Sequence, residues 1–490
     1  MTWDLRLQID DGSRGPLYGR IARAVAADIA RGRLAPGERL PGTRRLAGSL
    51  GVHRNTVLAA FRELEAEGWV EAREGSGTYV ALDMPTRAPV PFGSPSPPAA
   101  TGFDVELPPP PRLLSLAAVP RRDELVLAGG LPDLRLLPAD LLARAYRRSV
   151  RRAGRRLLAY GDPRGEPRLR EALARMLSAT RGITVEPEDL IVTRGSQMAM
   201  FLASRLLIRP GDRVAVEEYG YEPAWATLRA AGAVLVPVPV DRDGMDVGAV
   251  RSIADEAPLR AVYLTPHHQY PTTALLSPAR RIALLELAAE RRIAILEDDY
   301  DNEFHYEGRP VLPLASADPA GVVVYLGTFS KVLAPGLRLG WLVARPDVVE
   351  GAARLRALVD RQGDRAVEHA VAELLEDGEV VRHIRRMRRT YQRRRDALAD
   401  ALEEQFGDRL SFRRPRGGMN LWVRAHDVDV DAWRDRAAAS GVRFATGGTF
   451  RFDRRPVPFL RLGFAPHDPP ELRRAVARMR RALDAASARR

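Results

Sequence analysis

The run Val322-Val323-Val324-Tyr325-Leu326-Gly327-Thr328-Phe329-Ser330-Lys331, followed by Pro335-Gly336-Leu337-Arg338-Leu339-Gly340, decides how this chain is read. Its first half is β-branched and apolar, as a buried strand is; its second half is glycine and hydroxyl residues, as a loop is. At its end stands Lys331, the one lysine among 76 lysine and arginine residues. A bias toward arginine everywhere else leaves lysine where a guanidinium cannot substitute. A guanidinium stays protonated, whereas a desolvated lysine amine loses its proton and attacks an aldehyde carbon.

Outward from this run, apolar stretches alternate with amphipathic helical patterns from about Asp123 onward: Leu190 to Thr193, Arg213 to Val216, Ala233 to Val236, Ala261 to Leu264 and Ile293 to Leu296. The alternation predicts an α/β domain over 123–490 with a mostly parallel sheet. Glu297-Asp298-Asp299-Tyr300-Asp301 directly follows one apolar run. A carboxylate at a strand end, Asp298, can hold a pyridinium nitrogen protonated, and Tyr300, two residues on, projects to the same side. The same residues also suit a solvated loop.

Gly195-Ser196-Gln197 lies between a strand and a helix, where backbone N–H groups face an anion and glycine allows close approach. Thr328, Ser330 and Arg338 add phosphate donors from the Lys331 segment. Tyr221 follows a strand end, where its ring can stack on a ligand or simply pack. Arg461, inside Phe459-Leu460-Arg461-Leu462-Gly463-Phe464, requires an anionic partner, either a ligand carboxylate or an internal Asp or Glu.

Residues 1–81 read differently. A helix from Pro16 buries Ile21, Val25 and Ile29. A short helix and glycine turn follow through Leu40-Pro41-Gly42-Thr43-Arg44-Arg45-Leu46-Ala47-Gly48-Ser49-Leu50-Gly51-Val52. His53-Arg54-Asn55-Thr56-Val57 opens another helix that carries Leu58, Phe61, Leu64 and Trp69 inward. This is helix-turn-helix spacing with polar residues at the start of the second helix. Trp69 to Val80 then gives two short strands about Gly75-Ser76-Gly77, a wing. Residues 82–122, ending in Pro108-Pro109-Pro110-Pro111, are rich in proline, alanine and serine and read as a semi-extended linker.

Bulk properties bound these readings. No apolar run is long enough to cross a bilayer, and no secretion signal opens the chain. With no cysteine there is neither a disulfide nor a thiolate metal site, so a cytoplasmic location is expected, on the nucleoid when bound to DNA. The net charge of +13 is compatible with nucleic-acid binding. The arginine-rich run from Arg382 to Arg395 reads as one exposed helix.

The N-terminal segment resembles a GntR-type winged helix, with Gly42 where that family usually has serine. The resemblance implies DNA contacts from Arg44, Arg54, Asn55 and Thr56, with Gly75 and Gly77 letting the wing approach the backbone. The C-terminal part resembles a fold-type I aminotransferase that binds pyridoxal 5′-phosphate. By position this implies Lys331 as the Schiff-base lysine, Asp298 at the pyridinium nitrogen and Tyr300 at the phenolic oxygen. It also implies Tyr221 against the ring, with Gly195, Ser196, Gln197, Thr328, Ser330 and Arg338 around the phosphate. Arg461 becomes a carboxylate hook, and Tyr160 reaches the phosphate of the partner subunit in a homodimer. His268-Gln269-Tyr270-Pro271-Thr272-Thr273 departs from the aminotransferase loop, with Thr273 in place of glycine, which puts efficient transamination in doubt. The whole order resembles a MocR-type transcription regulator. That implies a DNA-binding protein that senses pyridoxal phosphate, or an amino compound, as an aldimine at Lys331. An active aminotransferase carrying a DNA-binding module is the alternative.

Overall fold

The computed structural model describes residue 7 and residues 15–83, 104–105, 123–308 and 310–487. It divides into two compact units, Met1–Pro109 and Pro110–Arg490. Most of the expected linker, 82–122, lies outside the described residues.

In the first unit α1 (Leu17–Ala30), α2 (Thr43–Leu50) and α3 (Arg54–Ala66) precede a hairpin of β1 (Val70–Arg73) and β2 (Gly77–Val80). Gly51, at φ +64, ends α2 in the left-handed conformation that glycine adopts without steric cost. His53 caps α3, its Nδ1 accepting the Asn55 N–H at 3.2 Å. Gly42 offers α2 no side-chain cap. Ile21, Val25, Ile29, Leu46, Val57, Phe61 and Leu64 close the core. Trp69 reaches it from outside α3: the helix ends at Ala66, and the Trp69 N–H bonds the Leu64 carbonyl at 2.8 Å. Leu58 is only half-buried, the inward face of α3 being Val57, Ala60, Phe61 and Leu64.

The second unit is α/β. Strands β3 (Leu190–Thr193), β4 (Arg213–Glu217), β5 (Val234–Val238), β6 (Ala261–Leu264), β7 (Ala294–Asp299), β8 (Val323–Thr328) and β9 (Gly340–Val343) form one sheet in the order β3-β9-β8-β7-β6-β4-β5. β9 is antiparallel to both neighbours, and every other pair is parallel. Both faces are covered: Leu190 and Val192 enter one core, Ile191 the other. That is why these strands read as unbroken apolar runs.

A smaller antiparallel sheet, β10 (Leu410–Phe412), β11 (Asn420–Ala425), β12 (Ala445–Thr446) and β13 (Phe459–Gly463), has the order β10-β11-β13-β12. Leu421, Val423, Leu460 and Leu462 pack on the helices Glu379–Phe406 and Pro469–Ser487. Alternation puts Asn420, Trp422, Phe459 and Arg461 on the opposite face.

Two expectations are corrected. The acidic run does not follow its strand but belongs to it, β7 extending to Asp299. Each carboxylate finds donors there: Glu297 accepts the Leu314 and Ala315 N–H groups, Asp298 the Tyr263 hydroxyl and Asp299 the Tyr325 hydroxyl. An acid with a donor on at least one oxygen can be buried at lower cost, so the strand continues. The helix containing Arg382 to Arg395 is not exposed throughout. His383, Met387 and Tyr391 are enclosed, as are Arg394, paired with Asp133 at 2.9 Å, and Arg395, paired with Glu307 at 2.7 Å.

Candidate functional site

Lys331 lies just past β8, beside the C-terminal end of β7. The side chain is half-buried, and its pKa falls to about 8. Burial is the larger cause and the Arg461 charge the second, with Asp301 and Asp298 opposing both. On β7 the buried Asp298 accepts the Tyr263 hydroxyl at 2.9 Å through Oδ2, while its enclosed Oδ1 has no partner. Burial raises the Asp298 pKa to about 6; the Tyr263 hydrogen bond and the Lys331 charge restrain the rise. Tyr300, one residue past β7, donates its hydroxyl to the His268 carbonyl at 2.9 Å. Tyr221 and Tyr270 meet edge to face at 5.4 Å.

Three glycine-bearing segments converge next to Lys331. A Cβ on Gly195 would lie 2.9 Å from the Arg338 guanidinium, and one on Gly340 would lie 2.6 Å from the Gly195 backbone. Gly195, at φ +76, turns the chain into the helix Ser196–Leu207, whose first N–H groups open beside Arg338. Arg338 donates to the Arg194 carbonyl at 2.8 Å, and the Thr328 hydroxyl lies 2.9 Å from that of Ser330. The Gln197 side chain turns elsewhere, donating to Thr227 at 2.6 Å, so only its backbone faces this cradle.

Arg461 is fully enclosed on β13. Its guanidinium donates to the Asn420 side-chain oxygen at 3.0 Å and the Ala128 carbonyl at 3.3 Å, and its Nε has no partner. No internal Asp or Glu pairs with it among the described residues. Gly130 permits this approach, since a Cβ there would sit 2.9 Å from the guanidinium. Tyr160 stands apart, 75% exposed, with Arg361 4.0 Å over its ring.

Tyr263 and Glu217 gave no signal in the sequence, and the partners of His268, Asp301 and Thr273 could not be read from it. Tyr263 lies inside an apolar run and reads as core. Glu217 is enclosed, accepts both the N–H and the hydroxyl of Thr265, and has its pKa pushed up to about 8 by burial. His268 Nδ1 and Asp301 Oδ1 pair at 2.7 Å. Thr273 adopts φ +64, a conformation that favours the glycine it replaces.

In the first unit Arg44, Arg54 and Asn55 are exposed and Thr56 half-buried, all at the helix-turn-helix. Arg54 Nε lies 3.4 Å from Thr43 Oγ1, tying the start of α3 to α2. Gly75 (φ +69) and Gly77 (φ +124) form the wing tip. Arg39, unnoticed in the sequence, bridges to Tyr79 and lies 3.0 Å from where a Gly77 Cβ would be.

Residues 17–80 match the family of bacterial regulatory proteins named gntR, and residues 125–479 match aminotransferase class I and II. The regulatory protein MocR of Rhizobium meliloti is 34% identical over 97% of this chain and 96% of its own. The chain belongs to the MocR-type family of GntR regulators. The HTH-type transcriptional regulator TauR of Rhodobacter capsulatus, another relative, is also 34% identical, over 96% of this chain and 97% of its own. The crystal structure of LysN, the α-aminoadipate aminotransferase of Thermus thermophilus complexed with N-(5′-phosphopyridoxyl)-L-leucine, superposes with a TM-score of 0.71. It is 29% identical and covers 77% of this chain and 95% of that one.

This MocR-type chain is therefore a DNA-binding transcriptional regulator that depends on pyridoxal 5′-phosphate through an aminotransferase-like unit. The residues present fit that cofactor. An unpartnered, enclosed Asp298 oxygen suits a pyridinium N–H, the glycine cradle beside Arg338 suits a phosphate, and Lys331 is a deprotonable amine. No helix among the described residues is long and apolar enough to cross a membrane.

Proposed function

We propose that this regulator uses its aminotransferase-like site to read an amino compound rather than to turn one over, and that occupancy shifts its hold on DNA. The observation that carries this reading is Arg461, an enclosed guanidinium without a carboxylate partner that acts electrostatically on Lys331. A buried cation of this kind is costly unless an anion completes it, and a ligand carboxylate does so with two parallel hydrogen bonds.

When bound, pyridoxal phosphate supplies an electrophilic aldehyde carbon. The Lys331 amine is set to meet it: with a pKa of about 8, roughly a tenth is unprotonated at pH 7. For an unperturbed lysine the fraction is about 300-fold smaller. Asp298, with its pKa near 6, is mainly ionised at pH 7 and holds a proton on the ring nitrogen. Tyr300 and Tyr221 bound the ring. The backbone N–H groups of Gly195, Ser196 and Gln197, with Thr328, Ser330 and Arg338, hold the phosphate.

The active unit in this reading is a homodimer, Tyr160 reaching the partner's phosphate. Its exposure, together with that of Leu158, Leu358 and Val359, supports an interface there. Arg44, Arg54, Asn55 and Thr56 contact DNA, with the wing at Gly75 and Gly77 against the backbone. The division into winged helix over 1–81, linker over 82–122 and effector domain over 123–490 completes the proposal. A ligand shifts DNA binding only by its differential affinity for two arrangements.

The test is a DNase footprint on the DNA upstream of the protein's own gene, run cofactor-free, with pyridoxal phosphate, and with pyridoxal phosphate plus amino acids. Protection that changes with the added amino acid supports the reading, and a response to pyridoxal phosphate alone makes the cofactor itself the signal. No protection beside sustained transamination transfers the reading to an enzyme.

A further inference from the structure

The rings around Arg461 form a continuous wall. Tyr221 and Tyr300 each meet Tyr270 edge-on, with centroids 5.4 and 6.0 Å away. Tyr270 meets Phe450 at 5.5 Å, and Phe450 meets Trp422 at 6.3 Å. Trp422 contacts Tyr219 at 5.9 Å and stacks on Phe459 at 5.1 Å, the planes 8° apart. The Arg461 guanidinium lies over the middle of this wall, 4.7 Å from Tyr270 and 5.8 Å from Phe450. One end of the wall is therefore at the Lys331 and Asp298 pocket, and the other runs past the guanidinium. Tyr219, Tyr270, Trp422 and Phe459 all retain accessible surface.

Beside Tyr219 the charges are already paired. Arg451, 5.9 Å over the Tyr219 ring, binds Asp453 at 2.7 Å, and Arg454 binds Glu222 at 3.2 Å. A second carboxylate placed against Tyr219 would meet a ring and neutralised ions, and would lose hydration without gaining a partner; the exposed Arg424 shares this face only opposite Phe459. An apolar ring would instead gain contact area and edge-to-face geometry.

We infer that the ligand read beside Lys331 is an amino acid with a single carboxylate and an apolar, ring-bearing side chain that lies along Tyr270, Trp422 and Phe459. This rests on Arg461 taking the carboxylate, as proposed above. Trp422 and Phe459 then set specificity, since their strands bring no other large apolar side chain to this face of the sheet.

Amine-free acids isolate the wall from the cofactor's chemistry. The experiment is calorimetric titration of the full-length protein loaded with pyridoxal phosphate, using 3-phenylpropionate, propionate and glutarate. The expected result is 3-phenylpropionate binding about tenfold or more tightly than either other acid. Glutarate binding as tightly, or no preference over propionate, overturns the inference. Trp422→Ala is expected to narrow the preference for the phenyl compound, and Trp422→Phe to keep most of it. Equal weakening of all three acids by Trp422→Ala would reduce Trp422 to a structural role and sink the wall. Arg461→Met separates the two layers: if all three acids bind it as they bind the unaltered protein, the carboxylate reading itself fails.

Discussion

Tyr263 donates its hydroxyl to Asp298 at 2.9 Å, and the other Asp298 oxygen, equally enclosed, has no partner. Neighbouring strands produce this relationship. Tyr263 on β6 lies opposite Leu296 on β7, so alternation puts Tyr263 and Asp298 on the same face of the sheet. The hydroxyl favours the ionised acid against a burial that raises its pKa to about 6.

Tyr263→Phe removes that restraint, so the Asp298 pKa moves higher and less of it is ionised at pH 7. Pyridoxal phosphate affinity should fall about tenfold or more at pH 7, since a hydrogen bond to a charged group contributes roughly 1.5–3 kcal/mol. The loss should shrink as pH rises and the acid ionises. Titration of the cofactor by absorbance at pH 6, 7 and 8.5 checks this, and a pH-independent loss would contradict it.

Lys331→Ala should leave the thermal unfolding curve in place but abolish the absorbance of covalently held cofactor. In the unaltered protein the capture rate should climb with pH through a midpoint near pH 8 and level off above it, because only the unprotonated amine reacts and its pKa is about 8. Arg461→Met withdraws one of the two causes that lower this pKa, so the plateau should move to higher pH. A stopped-flow pH series on both proteins reads both midpoints.

Asp133 binds two arginines, the exposed Arg135 at 2.9 Å and the buried Arg394 at 2.9 Å. Burial alone would raise its pKa, but the hydrogen bonds from Arg135 and Arg394 outweigh it and leave the pKa below 3.8. A folded-state pKa below the unfolded one stabilises the protein above the unfolded value, and the contribution is lost as pH falls from about 4. Asp133→Ala strands the Arg394 charge and should cost about 3–5 kcal/mol near neutral pH. The difference from the unaltered protein should narrow below about pH 4, as urea unfolding at pH 7 and pH 3 would measure.

Arg54→Ala and Arg44→Ala should weaken binding to the footprinted DNA. If either contacts phosphate, the slope of log affinity against log salt should fall by about 1 for that variant, equally on all sequences. If it reads a base, the loss should be about 1–3 kcal/mol and confined to the operator. Fluorescence anisotropy over a salt series, on operator and scrambled DNA, separates the two.

Much was legible because local patterns were unambiguous. The glycine turn at Gly51 and the helix start at His53 fix the helix-turn-helix within a few residues, and turn chemistry is local. Lys331 was conspicuous by its rarity. The acid run at 297–301 was misread as following its strand because polarity marks a strand's end only when the polar groups go unsatisfied. Here donors from Leu314, Ala315, Tyr263 and Tyr325, distant in sequence, reach each of the three strand acids. The Arg382 to Arg395 run was misread for the same reason, since Asp133 lies some 260 positions from its partner Arg394.

By itself the sequence determined the two kinds of unit, the strand-and-helix alternation and the identity of the reactive amine, because each rests on periodicity or residue chemistry within a short window. Only the tertiary structure decided that Arg461 has an amide and a carbonyl rather than an acid beside it, that Tyr263 restrains Asp298, and that seven rings from six separate segments form one wall. Those relationships depend on which strands become neighbours and in what register. Register is set by the packing of whole faces, which no local stretch of sequence contains.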